Sequence, residues 1–453
     1  MHRVALLLGL VGALHGLMYV PLVSDNVAPD TPTYRAAAEA LRDASYTTPL
    51  EAGFYYELRT RSLVDVSGAA VPREAWSAPE RQIFRPPGYP TLLAVVGGGR
   101  SQASRWAALA LQALLFGVGV FLLAETVAFW WGPRIGLGAG ALYALDPYSK
   151  HYVALLLSET LATTLLLGCA YAFTRAWRTR SAGWWAVTGA AAGALTLTRV
   201  VFVLVPILLA AVALGRIERL RAAPAVAAAS LAFLVPWLAW TSSVAGTPVL
   251  AAYGEGYNLL LAAHGEGLER TQSDLLLDPR FVADVSASHA TAPGADALLR
   301  DSEAHPRYLV RSDRELRDRA RALYRERLRD EPLQVAWEVV YRAFFLWNAH
   351  EDWYQPHGIA LLALRILDAA LLLLAAVGVA LTFRRGPPEA RAWAAFTLVY
   401  TVAIATHHVE ARFAMPLRGL YVSFALLAAA AVAAKAQSQN APAAVLPAES
   451  TND

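Results

Sequence analysis

Long apolar runs alternate along this chain with two large, more polar stretches, residues 24–102 and 245–357. Roughly 20 apolar residues in a helix cross the about 30 Å hydrocarbon core of a bilayer. On that measure the pattern predicts about ten membrane helices, at about 4–23, 103–129, 134–149, 153–174, 183–198, 200–214, 223–244, 358–383, 391–407 and 413–435. The segments 183–198 and 200–214 are short for a full crossing, so they are expected to tilt or to be partly re-entrant. The apolar stretch from Pro86 to Gly97 is too short to cross and is expected as a helix tucked against the outer face.

The polar stretches carry patterns of their own. Tyr34 to Leu41 reads as a short amphipathic helix, and residues 43–80 are polar with scattered aromatics, among them Phe54, Tyr55, Tyr56 and Trp76, as at a membrane interface. Ser312-Asp-Arg-Glu315 has the form of a capping box. It is expected to open a charged helix that ends before Pro332, with Leu316, Ala320, Leu323 and Leu328 on one stripe. Residues 333–347 are apolar but contain Glu338 and Arg342, and if they crossed, Arg384 and Arg385 would emerge outside. They are read as an interfacial helix.

Charge fixes the orientation. The connections holding Arg134, then Arg175, Arg178 and Arg180, then Arg216, Arg219 and Arg221, then Arg384, Arg385 and Arg391 are all basic. Basic loops stay inside, so both termini are expected inside and both polar stretches outside. Four parts result: residues 1–244 as a membrane catalytic module with outer loop 24–102, residues 245–357 as an outer region with an interfacial helix, residues 358–435 as C-terminal transmembrane helices, and residues 436–453 as a disordered cytoplasmic tail. Composition agrees: 56% of the 453 residues are hydrophobic and mean hydropathy is +0.38. A net charge of +3 gives no reason to expect nucleic acid, and the single cysteine, Cys169, excludes an intrachain disulfide or a Cys-rich metal site. Met-His-Arg precedes the first run without a small-residue cleavage site, so that run is expected to be retained as a span.

On this topology several ionisable residues gather at the outer face, where charges at membrane depth point to function. Asp30 follows the first span. Ionised, it is a general base for an acceptor hydroxyl, or else it caps the helix after it. Arg85 stands before two prolines that keep its backbone extended, and its guanidinium suits either a phosphate or lipid headgroups. Glu159 lies within an apolar run, where a carboxylate needs a cation, a polar cavity or a proton. Lys150 is a phosphate ligand or an interfacial anchor, while His151 reads as structural. Arg199 sits at an outer hairpin against the positive-inside trend and invites an anion. Glu410 and Arg412 either satisfy each other or position a phosphate. No HExxH or DxD spacing supports a metal site.

Five motifs occur in order: Asp30-Thr-Pro-Thr-Tyr34, Arg85-Pro-Pro-Gly-Tyr-Pro90, Leu157-Ser-Glu-Thr160, Leu197-Thr-Arg199 and Glu410-Ala-Arg412-Phe-Ala-Met-Pro416. With them the chain resembles the GT-C glycosyltransferases, and within these the protein mannosyltransferase and lipid A aminoarabinose transferase group with its bacterial glycosyltransferase 39 or Rgt-like branch. The resemblance is good over about residues 1–215 and loose beyond. It implies an all-α, polytopic GT-C-like bundle with an outward-facing first loop containing interfacial helices and a second, mainly helical outer region. It implies an inverting transfer from a polyprenyl-phosphate sugar donor to an envelope glycan, lipid or protein at the outer face of the cytoplasmic (inner) membrane. In that role Asp30 is the base and Glu159 a second catalytic acid. Arg85, Lys150, Arg199 and Arg412 bind the donor phosphate, and Tyr34, Tyr89 and Glu410 position substrate. The usual acidic pair after the first span is incomplete, since the nearest acid to Asp30 is Asp25, so no cofactor is named and a divalent metal is left open. A competing class is a multi-pass transporter or flippase for a lipid-linked or anionic substrate, which should show paired internal repeats. None is evident. An envelope assembly protein is a third reading.

Overall fold

A computed structural model describes residues 1–23, 27–50, 55–57, 62–64, 70–215, 219–251, 254–267, 270, 272–290, 292–348 and 359–440. The part of the expected tail beyond residue 440 lies outside them, as do Asp25 and Phe54. Helix α1 spans His2–Tyr19, and the first loop follows with α2 (Thr31–Arg42) and α3 (Gly88–Val95). Next come α4 (Gln102–Trp131), α5 (Pro133–Leu145), α6 (Pro147–Val153), α7 (Glu159–Thr179), α8 (Ala182–Thr198), α9 (Leu204–Leu214) and α10 (Arg219–Ala245). The second polar region holds α11 (Glu255–Ala263), α12 (Gln272–Leu275), α13 (Pro279–His289), α14 (Ala295–Arg300), α15 (Ala304–Asp330) and α16 (Pro332–Asn348). The last helices are α17 (Ile359–Arg385), α18 (Pro388–Ala405) and α19 (Arg418–Asn440).

The chain is an all-α membrane protein in its main architecture. Among the described residues, five helical segments are long and apolar enough to cross a bilayer: His2–Leu22, Gln102–Trp131, Leu220–Ala245, Arg365–Arg385 and Met415–Lys435. Each of the other expected spans also coincides with a helix, but one that is shorter or carries charge. Helix α5 has 13 residues and α9 has 11, while α7 includes Glu159, Arg175 and Arg178. Small residues bring helices together. A Cβ on Gly117 of α4 would stand 2.4 Å from the Gly9 carbonyl of α1, so that contact tolerates only glycine. At the end opposite the first loop, Arg178 donates to Glu389 at 2.7 Å and to the Phe129 carbonyl, joining α4, α7 and α18.

The first loop contains two short antiparallel pairs, β1 (Thr47–Pro49) with β4 (Pro79–Arg81) and β2 (Tyr55–Glu57) with β3 (Ser62–Val64). Each strand has three residues, too few for a period-two pattern to show in the sequence. The capping-box expectation is corrected. Helix α15 starts at Ala304, so Ser312 lies inside it, buried, with its hydroxyl on Ser288 at 3.2 Å. Its neighbour Asp313 accepts the backbone N–H groups of Gly254 and Gly256 rather than capping its own helix. Leu316 and Ala320 are buried as expected, whereas Leu328 is exposed. Helix α16 leaves Leu333, Trp337, Val340, Phe344 and Phe345 exposed, while Glu338 and Arg342 are buried against protein. Such a helix suits the interface better than the bilayer core.

The two polar regions pack on each other. Arg81 pairs with Glu303 at 2.6 Å, His305 with Glu80 at 3.2 Å, and the Arg81 N–H donates to the Ser302 carbonyl at 3.1 Å. Ile83 and Phe84 join an apolar cluster with Leu260, Tyr308 and Leu309. Ser302→Cys and Ala70→Cys should therefore react with an impermeant maleimide from the same side of sealed vesicles. Cys169 is fully buried and should stay silent. Labelling of the two from opposite sides would sink the arrangement.

Candidate active site

The first span ends in a turn at Val20–Leu22, and the chain re-enters helix at α2 with Pro32 in the first turn, where no N–H is needed. Asp30 occupies the cap position but makes no side-chain capping bond. Thr31 takes the local work instead: its hydroxyl accepts the Ala28 N–H at 2.9 Å and donates to the Leu156 carbonyl at 3.1 Å. The Asp30 carboxylate, only 6% exposed, is directed elsewhere. Its Oδ1 accepts from Arg85 Nη2 at 2.6 Å and its Oδ2 from Arg412 Nη1 at 2.9 Å.

Arg85 is held in place by its surroundings. Its Nε donates to the Thr33 hydroxyl at 2.9 Å, and its guanidinium lies over the rings of Tyr34 at 4.7 Å and Phe84 at 4.6 Å. The following Pro-Pro-Gly turn starts α3 against the end of α8. A Cβ on Gly88 would stand 2.6 Å from the Leu197 carbonyl, so glycine permits this seat. Residue 199 follows directly, which sets Arg199 beside the same pocket.

Arg199 pairs with Glu159, the first residue of α7 and 1% exposed. The second oxygen of Glu159 and the neighbouring Thr160 hydroxyl are buried and have no hydrogen-bond partner among the described residues. Tyr34 donates to the Ser158 hydroxyl at 3.2 Å, one residue before Glu159. The guanidiniums of Arg199 and Arg412 both lie over Phe413, at 5.7 and 5.9 Å. Asp30, Arg85, Arg412, Glu410, Arg199 and Glu159 thus form one cluster linked by Tyr34 and Phe413. Glu410 bonds Arg412, and its other oxygen is 3.5 Å from His408.

Not every expected site residue joins. Tyr89 is fully buried beneath Tyr34, edge to face at 4.9 Å, with its hydroxyl on Gln112 at 2.6 Å. The Lys150 ammonium lies by the His15 ring at 3.3 Å and over Tyr19 at 5.8 Å, beside α1. His151 is buried within the protein. Among the described residues, the donors around Asp30 do not fit a divalent metal. Both Asp30 oxygens face guanidiniums, and no group of three or more metal-ligating side chains occurs among the described residues.

Two charged sets escaped sequence reading. His408 bridges to Glu266, and Arg418 bridges Asp146 at 3.2 Å to Asp368 at 2.8 Å. Asp368 lies within an apolar helix, which is a signal in itself. The pairing partners of His408 lie 142 residues away in sequence at Glu266 and next door at Glu410, and no local pattern announces the first.

The centre of the cluster is a buried acid held between two arginines, with a second acid–arginine pair beside it. Residues 85–240 match the family model for dolichyl-phosphate-mannose-protein mannosyltransferase. That matched stretch holds Arg85, Glu159 and Arg199. No curated protein matches the chain. Among solved structures, the apo oligosaccharyltransferase of Archaeoglobus fulgidus aligns with TM-score 0.48 and 15% identity, over 96% of this chain and 51% of that one. The archaeal oligosaccharyltransferase AglB from the same organism, in complex with an inhibitory peptide and a dolichol-phosphate, gives 0.49 and 13%, over 97% and 52%. ArnT from Cupriavidus metallidurans bound to undecaprenyl phosphate gives 0.36 and 15%, over 95% and 78%. The chain spans about half the length of these oligosaccharyltransferase chains.

Proposed function

We propose that the protein is a membrane glycosyltransferase. It moves a sugar from a polyprenyl-phosphate donor to an envelope glycan, lipid or protein acceptor at the outer face of the cytoplasmic membrane. The observation that carries this reading is the Asp30 carboxylate held between Arg85 and Arg412 just after the first membrane helix. Residues 1–244 supply the catalytic module, residues 245–357 cover it on the acceptor side, and residues 358–435 close the bundle.

The chemistry is a direct displacement. The acceptor oxygen forms a bond to the anomeric carbon as the bond from that carbon to the phosphate oxygen breaks. The acceptor proton passes to Asp30, and the electron pair leaves with the phosphate. Guanidiniums stabilise that developing charge through paired hydrogen bonds. A carboxylate has about four lone-pair sites, so Asp30 keeps a position for the acceptor's proton beside its two guanidiniums. A donor phosphate competes for Arg85 and Arg412, and so loosens their hold on Asp30 when donor is bound. Glu159, with one oxygen on Arg199 and the other unpartnered among the described residues, is suited to receive a sugar hydroxyl. Lys150 offers a further cation for the phosphate beside α1, and Tyr34, stacked on Arg85, orients it.

The test is transfer by the purified protein, with candidate polyprenyl-phosphate sugars and envelope acceptors, followed by mass spectrometry. Absence of transfer across the donor panel, with donor bound, would count against the reading. Arg85→Ala should weaken donor binding by on the order of tenfold to a hundredfold, the usual worth of a charge-assisted contact. Arg85→Lys should recover part of this, since it keeps the charge and loses the fork. Unchanged affinity in Arg85→Ala would remove Arg85 from the phosphate site.

A further inference from the structure

We propose that His408 is a positioning residue for this site: clamped between Glu266 and Glu410, it fixes Arg412 on Asp30 and ties the second polar region to the reaction centre. This rests on the functional reading above.

The contacts form an unbroken line of alternating charge. Nδ1 of His408 is 2.7 and 2.9 Å from the two oxygens of Glu266. Its Nε2 is 3.5 Å from Glu410, whose other oxygen bonds Arg412 Nε. Arg412 Nη1 then reaches Asp30 at 2.9 Å, and Arg85 completes the line on the far oxygen. An imidazole facing carboxylates through both nitrogens donates from both, which only the protonated ring can do. His408 is 7% exposed and its backbone N–H is taken by the Asn258 carbonyl at 2.9 Å, so the ring has little freedom to turn away.

Glu266 is anchored in turn. Its carbonyl accepts from Arg342 of α16, whose Nε donates to the Ala405 carbonyl at the end of α18 at 2.7 Å. The same guanidinium reaches the Tyr324 hydroxyl of α15 at 3.2 Å. Movement of α15 or α16 therefore reaches Arg412 through Glu266 and His408. The groups facing this point are Glu266, Glu410 and Arg412, Arg342 from α16, Tyr324 from α15, Tyr257 from α11 and His407 from its own segment.

Burial works against charge on His408, but the hydrogen bonds it donates to Glu266 and Glu410 outweigh it and lift the ring from 6.5 to about 9. Burial likewise opposes charge on Glu410, yet Arg412 and His408 hold it down at about 2. The sign follows. A raised histidine keeps its clamp at neutral pH and loses it as pH rises through about 9. The neutral ring keeps one donor for two carboxylates, and Glu410 loses its fixed anchor while remaining ionised.

The experiment measures binding of polyprenyl phosphate, without a sugar, to the detergent-solubilised full chain between neutral and alkaline pH. Wild-type affinity should fall on the order of tenfold across a midpoint near the histidine value, the worth of one misplaced charge-assisted contact. Glu266→Gln removes one of the two carboxylates and should move that midpoint to lower pH. His408→Gln should bind weakly at neutral pH with no alkaline limb. A wild-type affinity that is flat through about 9, or a His408→Gln variant with the wild-type profile, would overturn the proposal. If the wild type binds no polyprenyl phosphate at all, the functional reading fails instead. Histidine NMR of the same protein then still decides the clamp, with His408→Gln assigning the resonance: titration near 6.5 overturns it and titration near 9 supports it.

Discussion

Asp30→Asn is expected to fold, insert and bind donor while sugar transfer falls by around 10²–10⁴-fold, the usual cost of losing base assistance. Asparagine keeps the size and shape of the side chain but cannot take the acceptor's proton. It keeps one acceptor oxygen for Arg85 or Arg412 and turns an N–H toward the other guanidinium, where a carboxylate oxygen stood. The released guanidinium becomes more available to phosphate, so donor affinity should hold or tighten as turnover collapses. That split separates catalysis from a helix-capping role. Asparagine caps as well as aspartate, so a cap would make the substitution nearly silent. The geometry already weighs against a cap, because Asp30 makes no side-chain capping bond and Thr31 satisfies the Ala28 N–H. Near wild-type transfer by Asp30→Asn, with an identified donor and acceptor, would remove Asp30 as the base.

What the sequence made legible was order and depth. The apolar runs announced the helices, and the position of Glu159 inside one of them required a partner, which the fold supplies as Arg199 from 40 residues away. The motif around Arg85 could be read as a basic site in an extended turn. Its purpose as a seat for α3 on residues 197 and 198 could not, since it depends on where α8 ends. Contacts that close the cluster join distant segments: Arg412 meets Asp30 across 382 positions, and Glu266 meets His408 across 142. Neither has a local period or spacing. Local pattern also misled at Ser312, where a sound capping box lies inside a helix that had already begun at Ala304. There, the partners of Asp313 on α11 outweigh the local signal.

Arg418→Met should lower the stability of the solubilised protein by about 3–5 kcal/mol, the range for breaking a buried ion pair from one side. Arg418 begins α19 and reaches Asp146, at the junction of α5 and α6, and Asp368, inside α17. The side chains of all three are under 10% exposed. The positive charge therefore fastens three segments at one point. Methionine fills similar volume but takes the guanidinium away from both carboxylates. The two are not equally exposed to that loss. Asp146 retains the Ser149 N–H and hydroxyl on its other oxygen, at 2.8 and 2.6 Å, because it also caps α6. Asp368 lies within an apolar helix and makes the shorter of the two pairings with Arg418, 2.8 Å against 3.2 Å, so the larger share of the cost should fall there. Adding Asp368→Asn to Arg418→Met should then return a substantial part of the stability, since removing both charges of a buried pair is milder than removing one. Adding Asp146→Asn should return less. The measurement is equilibrium unfolding in mixed micelles, read as a double-mutant cycle over residues 418, 368 and 146. The buried triad is not what holds these segments together if Arg418→Met unfolds with the wild type, or if Asp368→Asn deepens the loss instead of relieving it.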